Sequence, residues 1–424
     1  MAALNISMIA AVLLAASAGQ GPDKTLIIDD PQGALGRVAA PVSAEVDLGR
    51  LAGGAVRPGR IRVVETVGGA ARGEPLAAQF EPDSAGSASG RLWWILPPGA
   101  KGRRQFRIVQ ADERCRGELT ARVDTERKAV DIREGSLPVL RYNHGTVPVP
   151  AGIDPDFARG DYIQPLFGPD GEAITDDYSQ NHPHHRGVSW AWPITRWKDE
   201  ARDLWAVKIL PGFTGAVWSR PVAMHRVEAG PVWAAVEAEC VWKWGDRDPI
   251  VREDVLIRAF RSTARRRFVD VQVRLTALVD EVSIGGRPHG SYGGFSVRSF
   301  PEFPERQIRM HIDPPGTSPR RAWYHLTGRF PGGKGPAGMV LLEGVTNPDY
   351  PNQPQTDEGG TKPGEYPPWR SVQPAWPGDR EVPLPKGETL TLDYRLWIHP
   401  GSLSEGEIID AWNAYALAKK APGR

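Results

Sequence analysis

The chain has 424 residues, with 52 Lys and Arg against 51 Asp and Glu, a formal charge of +1, and 40% hydrophobic residues. Beyond the first twenty residues no apolar run is long enough to cross a bilayer, which argues against an integral membrane protein or an integral membrane partner. The balanced charge, with no basic run beyond Arg265-Arg266-Arg267, supplies no field for nucleic acid.

Residues 1–20 read as a signal peptide. An apolar stretch from Ile6 to Ala16 ends in Ala16-Ser17-Ala18, the small-x-small pattern that signal peptidase accepts. The n-region has no Lys or Arg. The expectation is an exported protein, periplasmic or extracellular. In such a compartment Cys115 and Cys240 can form a disulfide, or remain two buried thiols.

Gly (47) and Pro (40) make up roughly a fifth of the chain, enough for many turns and too little for disorder. From residue 21 to about 130, short apolar runs alternate with Gly, Pro and Asp clusters: Thr25–Ile28, Val42–Leu48, Ile61–Val67, Leu76–Phe80, Leu92–Leu96 and Gln105–Val109. That spacing predicts a small N-terminal β domain. A second domain is expected over residues 131–424.

In this second region two segments can be read face by face, because side chains alternate across a strand. Over Val232–Trp244, the residues Val232, Ala234, Val236, Ala238, Cys240, Trp242 and Trp244 share one face, opposite Trp233, Glu237, Glu239 and Lys243. Over Phe268–Leu275, Val269, Val271, Val273 and Leu275 oppose Phe268, Asp270, Gln272 and Arg274. A mainly β, antiparallel two-sheet sandwich accounts for both. Its polar face is either a functional concave sheet or an ordinary solvated one. Near the C-terminus, Ser404 and Glu407 form a capping box ahead of Ile408, Trp412 and Tyr415, predicting a helix that packs onto the sandwich.

The densest chemistry lies in Asn181-His182-Pro183-His184-His185-Arg186-Gly187, which holds three of the nine histidines. If extended, it points His182, His184 and Arg186 one way and His185 the other. His182 and His184 then suit a divalent metal, with His289, His311, His325, His399, Glu237 or Glu239 as further ligands. Without metal, the same imidazoles serve as acid and base, and Arg186 holds an anion. A purely structural loop is the third possibility. Upstream, the turn signal Pro169-Asp170-Gly171 leads to Thr175-Asp176-Asp177-Tyr178, a hairpin that presents acidic and phenolic groups. Downstream, Gly285 to Phe295 is Gly-rich and carries His289 and Tyr292. The stretch from Thr346 to Trp376 is expected to be a long binding loop containing Trp369.

Taken together, Arg141-Tyr-Asn-His144-Gly, Tyr162-Ile-Gln-Pro-Leu-Phe-Gly-Pro-Asp-Gly, His182-Pro-His-His-Arg-Gly187, Trp190-Ala-Trp192 and Gly293-Gly-Phe-Ser-Val-Arg298 resemble the PmoA-like family of bacterial proteins over about residues 137 to 400. The methane-oxygenase label attached to that family does not fit a chain without membrane spans. The resemblance implies a large antiparallel β-supersandwich of the galactose-mutarotase type, whose relatives act on sugars. It implies an exported carbohydrate-active enzyme, a lyase, hydrolase or epimerase. Its catalytic residues are expected among His182, His184, His185, Arg186, His144, Tyr162, Asp176 and His289. Carbohydrate contacts are expected from Trp190, Trp192, Glu237, Glu239, Arg274, Tyr292 and Trp369, and a divalent metal at His182 and His184 is left open. The alternatives are a non-catalytic carbohydrate-binding protein and a cupin-like, metal-dependent oxygenase.

Overall fold

The computed structural model describes every residue except 1–24, 31–36, 52–56, 100–101, 179–181, 207–214, 288–291, 301–303, 353–370 and 421–424. The expected signal segment, His289 and Trp369 therefore lie outside the described residues. The chain is mainly β and divides into two compact units. The first comprises Met1–Gly117, Gly230–Trp233 and Leu403–Arg424, and the second comprises Glu118–Ala229 and Ala234–Ser402.

The first unit contains one six-stranded sheet in the order Thr25–Asp30, Gly102–Gln110, Ile61–Val67, Ala70–Pro82, Ser89–Leu96, Ala40–Asp47. The expected runs all fall inside or across these strands. They are legible because Leu92, Trp94 and Leu96, like Val42, Ala44 and Val46, alternate into one core. The C-terminal helix, Glu405–Lys420, belongs to this unit and not, as expected, to the sandwich. It packs against the strand Ala40–Asp47, and Ala414 enters the core with Leu26 and Ile28. Its capping box forms, with Ser404 N and Oγ donating to Glu407 Oε2 at 3.0 and 2.9 Å and Glu407 N donating to Ser404 Oγ at 3.3 Å. The first segment of this unit ends at Gly117, ahead of residue 130, because Leu119–Asp124 and Ala129–Glu134 pair with each other and then with Leu137–Asn143.

The second unit is a sandwich. A seven-stranded sheet runs Ser371–Val372, Gly294–Arg298, Val188–Ala191, Tyr162–Leu166, Leu137–Asn143, Ala129–Glu134, Leu119–Asp124. An eight-stranded sheet runs Val217–Ala229, Trp233–Trp244, Asp248–Phe260, Arg267–Ala277, Thr389–Pro400, Pro336–Glu343, Ala322–Arg329, Gln307–Ile312. A four-stranded sheet of Glu200–Arg202, Ile194–Trp197, Val282–Gly285 and Glu381–Leu384 adjoins them in sequence. The strand pairs of all three are antiparallel.

The core lies between the seven- and eight-stranded sheets. Val269, Val271, Val273 and Leu275 enter it, as do Ala234, Val236, Ala238 and Trp242, so both alternations face as expected. Phe295 of one sheet stacks on Tyr394 of the other with centroids 4.0 Å apart. The core also encloses charge-bearing groups. Glu253 accepts hydrogen bonds from the indole nitrogens of Trp190 and, at 2.5 Å, Trp242. Tyr142 and Ser219 each donate to Asp161 at 2.9 Å. Burial, and then the nearby Asp161, hold the Glu253 carboxyl well above the ordinary carboxylate range, so Glu253 carries the proton of this pair. Cys115 and Cys240 are both free and buried, each within its own unit.

Candidate functional site

The histidine segment is a turn and not the extended strand expected of it. His185 N donates to His182 O at 3.0 Å, and this reversal gathers the imidazoles that an extended chain would have split between two faces. The His182 and His185 rings stack with centroids 5.0 Å apart, His184 meets His185 edge-on at 4.4 Å, and His182 and His184 are 5.6 Å apart. All three are partly exposed. Phe157 and Trp205 flank the cluster, at 6.1 Å from His184 and 5.7 Å from His185.

Arg186 ends the turn and is buried. Its guanidinium donates to the carbonyls of Pro183, Phe157 and, at 3.2 Å, His185, lies 3.6 Å over the Tyr178 ring, and approaches Asp177 Oδ1 at 3.4 Å. Gly187 follows because the chain here crosses the strand Tyr162–Leu166. A Cβ at Gly187 would lie 2.3 Å from Ile163 O and 2.4 Å from Gln164 Oε1, too close for any other residue.

The hairpin expected upstream forms. Gly168 N donates to Glu172 O at 2.7 Å and Ile174 N to Leu166 O at 2.9 Å. Thr175 then clamps the return strand, accepting from Leu166 N at 2.9 Å and donating to Gln164 Oε1 at 2.5 Å. This places Asp177 where Tyr162 Oη donates to its Oδ2 at 2.9 Å. Burial pushes the Asp177 carboxyl up to about 6, against the opposing pull of Arg186 and Tyr162. Burial also raises Asp176, whose backbone N donates to Arg298 O at 3.1 Å.

Electrostatics separate the two kinds of group. Burial comes first among the causes that push His184 down to about 3 and His185 well below the ordinary imidazole range, with neighbouring imidazoles and then arginines adding to it. His182 is lowered by burial and then Arg298. The imidazoles are therefore neutral near pH 7, while Asp177 titrates close to it. Arg159, whose Nη1 donates to Trp205 O at 3.3 Å, and Arg298, joined through its backbone N to Gly187 O at 2.7 Å, are buried beside the cluster. Trp205 also meets Tyr292 at 5.8 Å, and Arg287 donates to Tyr292 Oη at 3.0 Å.

The remaining expected residues lie elsewhere or behind this site. His144 is buried and its Nε2 sits 2.9 Å from Glu239 O, where it tethers backbone. Trp190 and Trp192 are enclosed, at 1% and 0% exposure, and present no open indole face for a sugar to stack on. Glu237, Glu239 and Arg274 share the outer face of the eight-stranded sheet, where Arg274 approaches Glu237 at 3.4 Å and His225 Nε2 lies 3.1 Å from Glu239 Oε2. Of the further metal ligands considered for His182 and His184, His325 and His399 pair with each other, Nε2 to Nε2 at 3.0 Å, and His311 pairs with Asp313 at 2.8 Å. Arg159 lay in no recognised motif, and Arg298 closed the motif Gly293-Gly-Phe-Ser-Val-Arg298 without being singled out as a site residue; both reach the site through long-range packing. Asp177, adjacent to the expected Asp176, is separated from it only by which way each carboxyl turns.

Among the described residues no helix is long and apolar enough to cross a membrane. A family of unknown function, DUF6807, matches residues 129–413. That span covers most of the second unit and more than half of the chain, so the chain belongs to this family. No curated protein matches it.

Proposed function

We propose that this member of DUF6807 is an exported enzyme that carries out proton-transfer chemistry on an anionic carbohydrate, as a lyase, epimerase or hydrolase, with Asp177 and the His182/His184/His185 cluster at its centre. What carries this reading is a carboxyl at about 6 linked to neutral imidazoles through Arg186, whose guanidinium meets Asp177 Oδ1 at 3.4 Å and donates to the carbonyls of Pro183 and His185 in the histidine turn. A carboxylate that ionises near neutrality accepts a proton efficiently, and a neutral imidazole donates or accepts one at short range. Tyr162 orients the Asp177 carboxyl at 2.9 Å, and Arg186 balances its charge at 3.4 Å.

The substrate class rests on two supports. Arg159, Arg186 and Arg298 put three buried guanidiniums beside the neutral imidazoles and the carboxyls of Asp176 and Asp177, both of which burial pushes toward the protonated form, a set that suits a uronate or another acidic sugar. The resemblance to PmoA-like proteins, with the galactose-mutarotase type of sandwich that it implies, supplies the carbohydrate.

The test is a panel of acidic and neutral polysaccharides, followed through new reducing ends and the ultraviolet absorbance of unsaturated products. Turnover on an acidic glycan that disappears in His184→Ala and Asp177→Asn, with unchanged circular dichroism, is the expected result. Saturable glycan binding without product, persisting in both variants, would replace this proposal with a carbohydrate-binding protein.

A further inference from the structure

We propose that His225, Glu239 and Asp254 form a divalent-cation site on the outer face of the eight-stranded sheet, independent of the histidine turn. The three residues come from three adjacent strands, Val217–Ala229, Trp233–Trp244 and Asp248–Phe260. One ligand atom from each lies within 4.8 Å of the other two. Two of these atoms, His225 Nε2 and Glu239 Oε2, are 3.1 Å apart, the separation of two ligands on one small ion with bonds of about 2.1 Å.

The backbone is irregular where the site needs it. Met224 pairs with Ala238 and Arg226 with Glu237, which leaves His225 as an extra residue between them. Bulges of this kind re-aim a side chain and are frequent beside functional sites. Here the bulge sets the imidazole against Glu239 while Met224 packs against the core. The environment is graded: Asp254 is buried, Glu239 half-buried and His225 exposed. A cation can thus reach ligands that are partly withdrawn from water.

One imidazole and two carboxylates suit Zn²⁺ or Mn²⁺, and leave coordination positions for water. They provide too few oxygens for Ca²⁺. Arg252 Nε holds Asp254 Oδ2 at 3.2 Å, so its guanidinium orients this ligand and also opposes the positive charge of the ion. Removing that charge separates a metal site from a simple ion-pair network, because the network is weakened by losing Arg252 while the metal site is strengthened.

The test uses the tag-free full-length protein, dialysed against chelator and titrated calorimetrically with ZnCl₂ and MnCl₂. One equivalent of saturable binding is expected. It should weaken by about tenfold or more in His225→Ala and in Asp254→Asn, tighten in Arg252→Ala, and persist in His184→Ala. Circular dichroism and melting temperature establish that each variant is folded, and Glu239→Gln replaces any that is not. Absence of saturable binding, wild-type affinity in both ligand variants, or loss of binding in His184→Ala would each overturn the proposal.

Discussion

The Asp177 carboxyl is held at about 6, above its ordinary value of 3.8, chiefly by burial. The folded state keeps this proton longer than the unfolded chain does. The contribution of Asp177 to stability is therefore full below about pH 4 and is lost as pH rises through 6, a difference on the order of 3 kcal/mol. Asp177→Asn should accordingly raise the melting temperature at pH 7 more than at pH 4, while it removes turnover. A gain in stability with loss of activity identifies a group kept for chemistry. For the proposed activity of the wild-type protein, kcat/KM should depend on a group near pH 6, and that dependence should vanish in the variant. Gly187 makes the opposite kind of prediction. Its missing Cβ would stand 2.3 Å from Ile163 O, so Gly187→Ala should cost about 2 kcal/mol or more in denaturant unfolding.

At the scale of elements, strands join His325 and His399 into a directional chain. Arg309, a donor only, gives a hydrogen to His325 Nδ1 at 2.9 Å, so His325 Nε2 carries the hydrogen that passes to His399 Nε2 at 3.0 Å, and His399 Nδ1 faces Pro400 O at 3.3 Å. This fixes both tautomers. Burial, His399 and Arg309 push His325 down to about 3. Because its folded value lies below its unfolded one, stability is retained above pH 6.5 and lost as pH falls toward 3, by up to about 1.4 kcal/mol per unit. His325→Gln should lose less melting temperature than wild type between pH 6.5 and 4.5.

Elements were also where the sequence was most and least readable. Strands such as Ile61–Val67 and Arg267–Ala277 were legible because one apolar face alternates with a polar one. The histidine segment was not, because strand alternation has no way to express the hydrogen bond from His185 N to His182 O that reverses the chain. For the same reason His225 escaped notice: a bulge breaks the periodicity on which such reading depends.

Across the whole molecule, composition conveyed a turn-rich β protein but not how its parts combine. The capping box at Ser404 announced a helix, and the apolar residues Ile408, Trp412 and Tyr415 announced that it packs. Neither could name its partner, which is a core formed almost four hundred residues upstream. Arg159 and Arg298 were invisible as site residues for a related reason, since only the folded sheet carries them to Trp205 and Gly187. Deleting residues 403–424 should increase amide hydrogen exchange over Thr25–Asp30 and Ala40–Asp47 and leave Arg267–Ala277 protected.

The discontinuous first unit also imposes an order on synthesis. A ribosome makes its six strands first and its helix last, with the whole sandwich in between. The strands of the first unit must wait for the helix Glu405–Lys420 before their core closes, whereas the sandwich has all of its strands once Pro400 has emerged. A product that stops before Leu403 leaves the first unit without the helix that Ala414 anchors in its core, and so with an open apolar face.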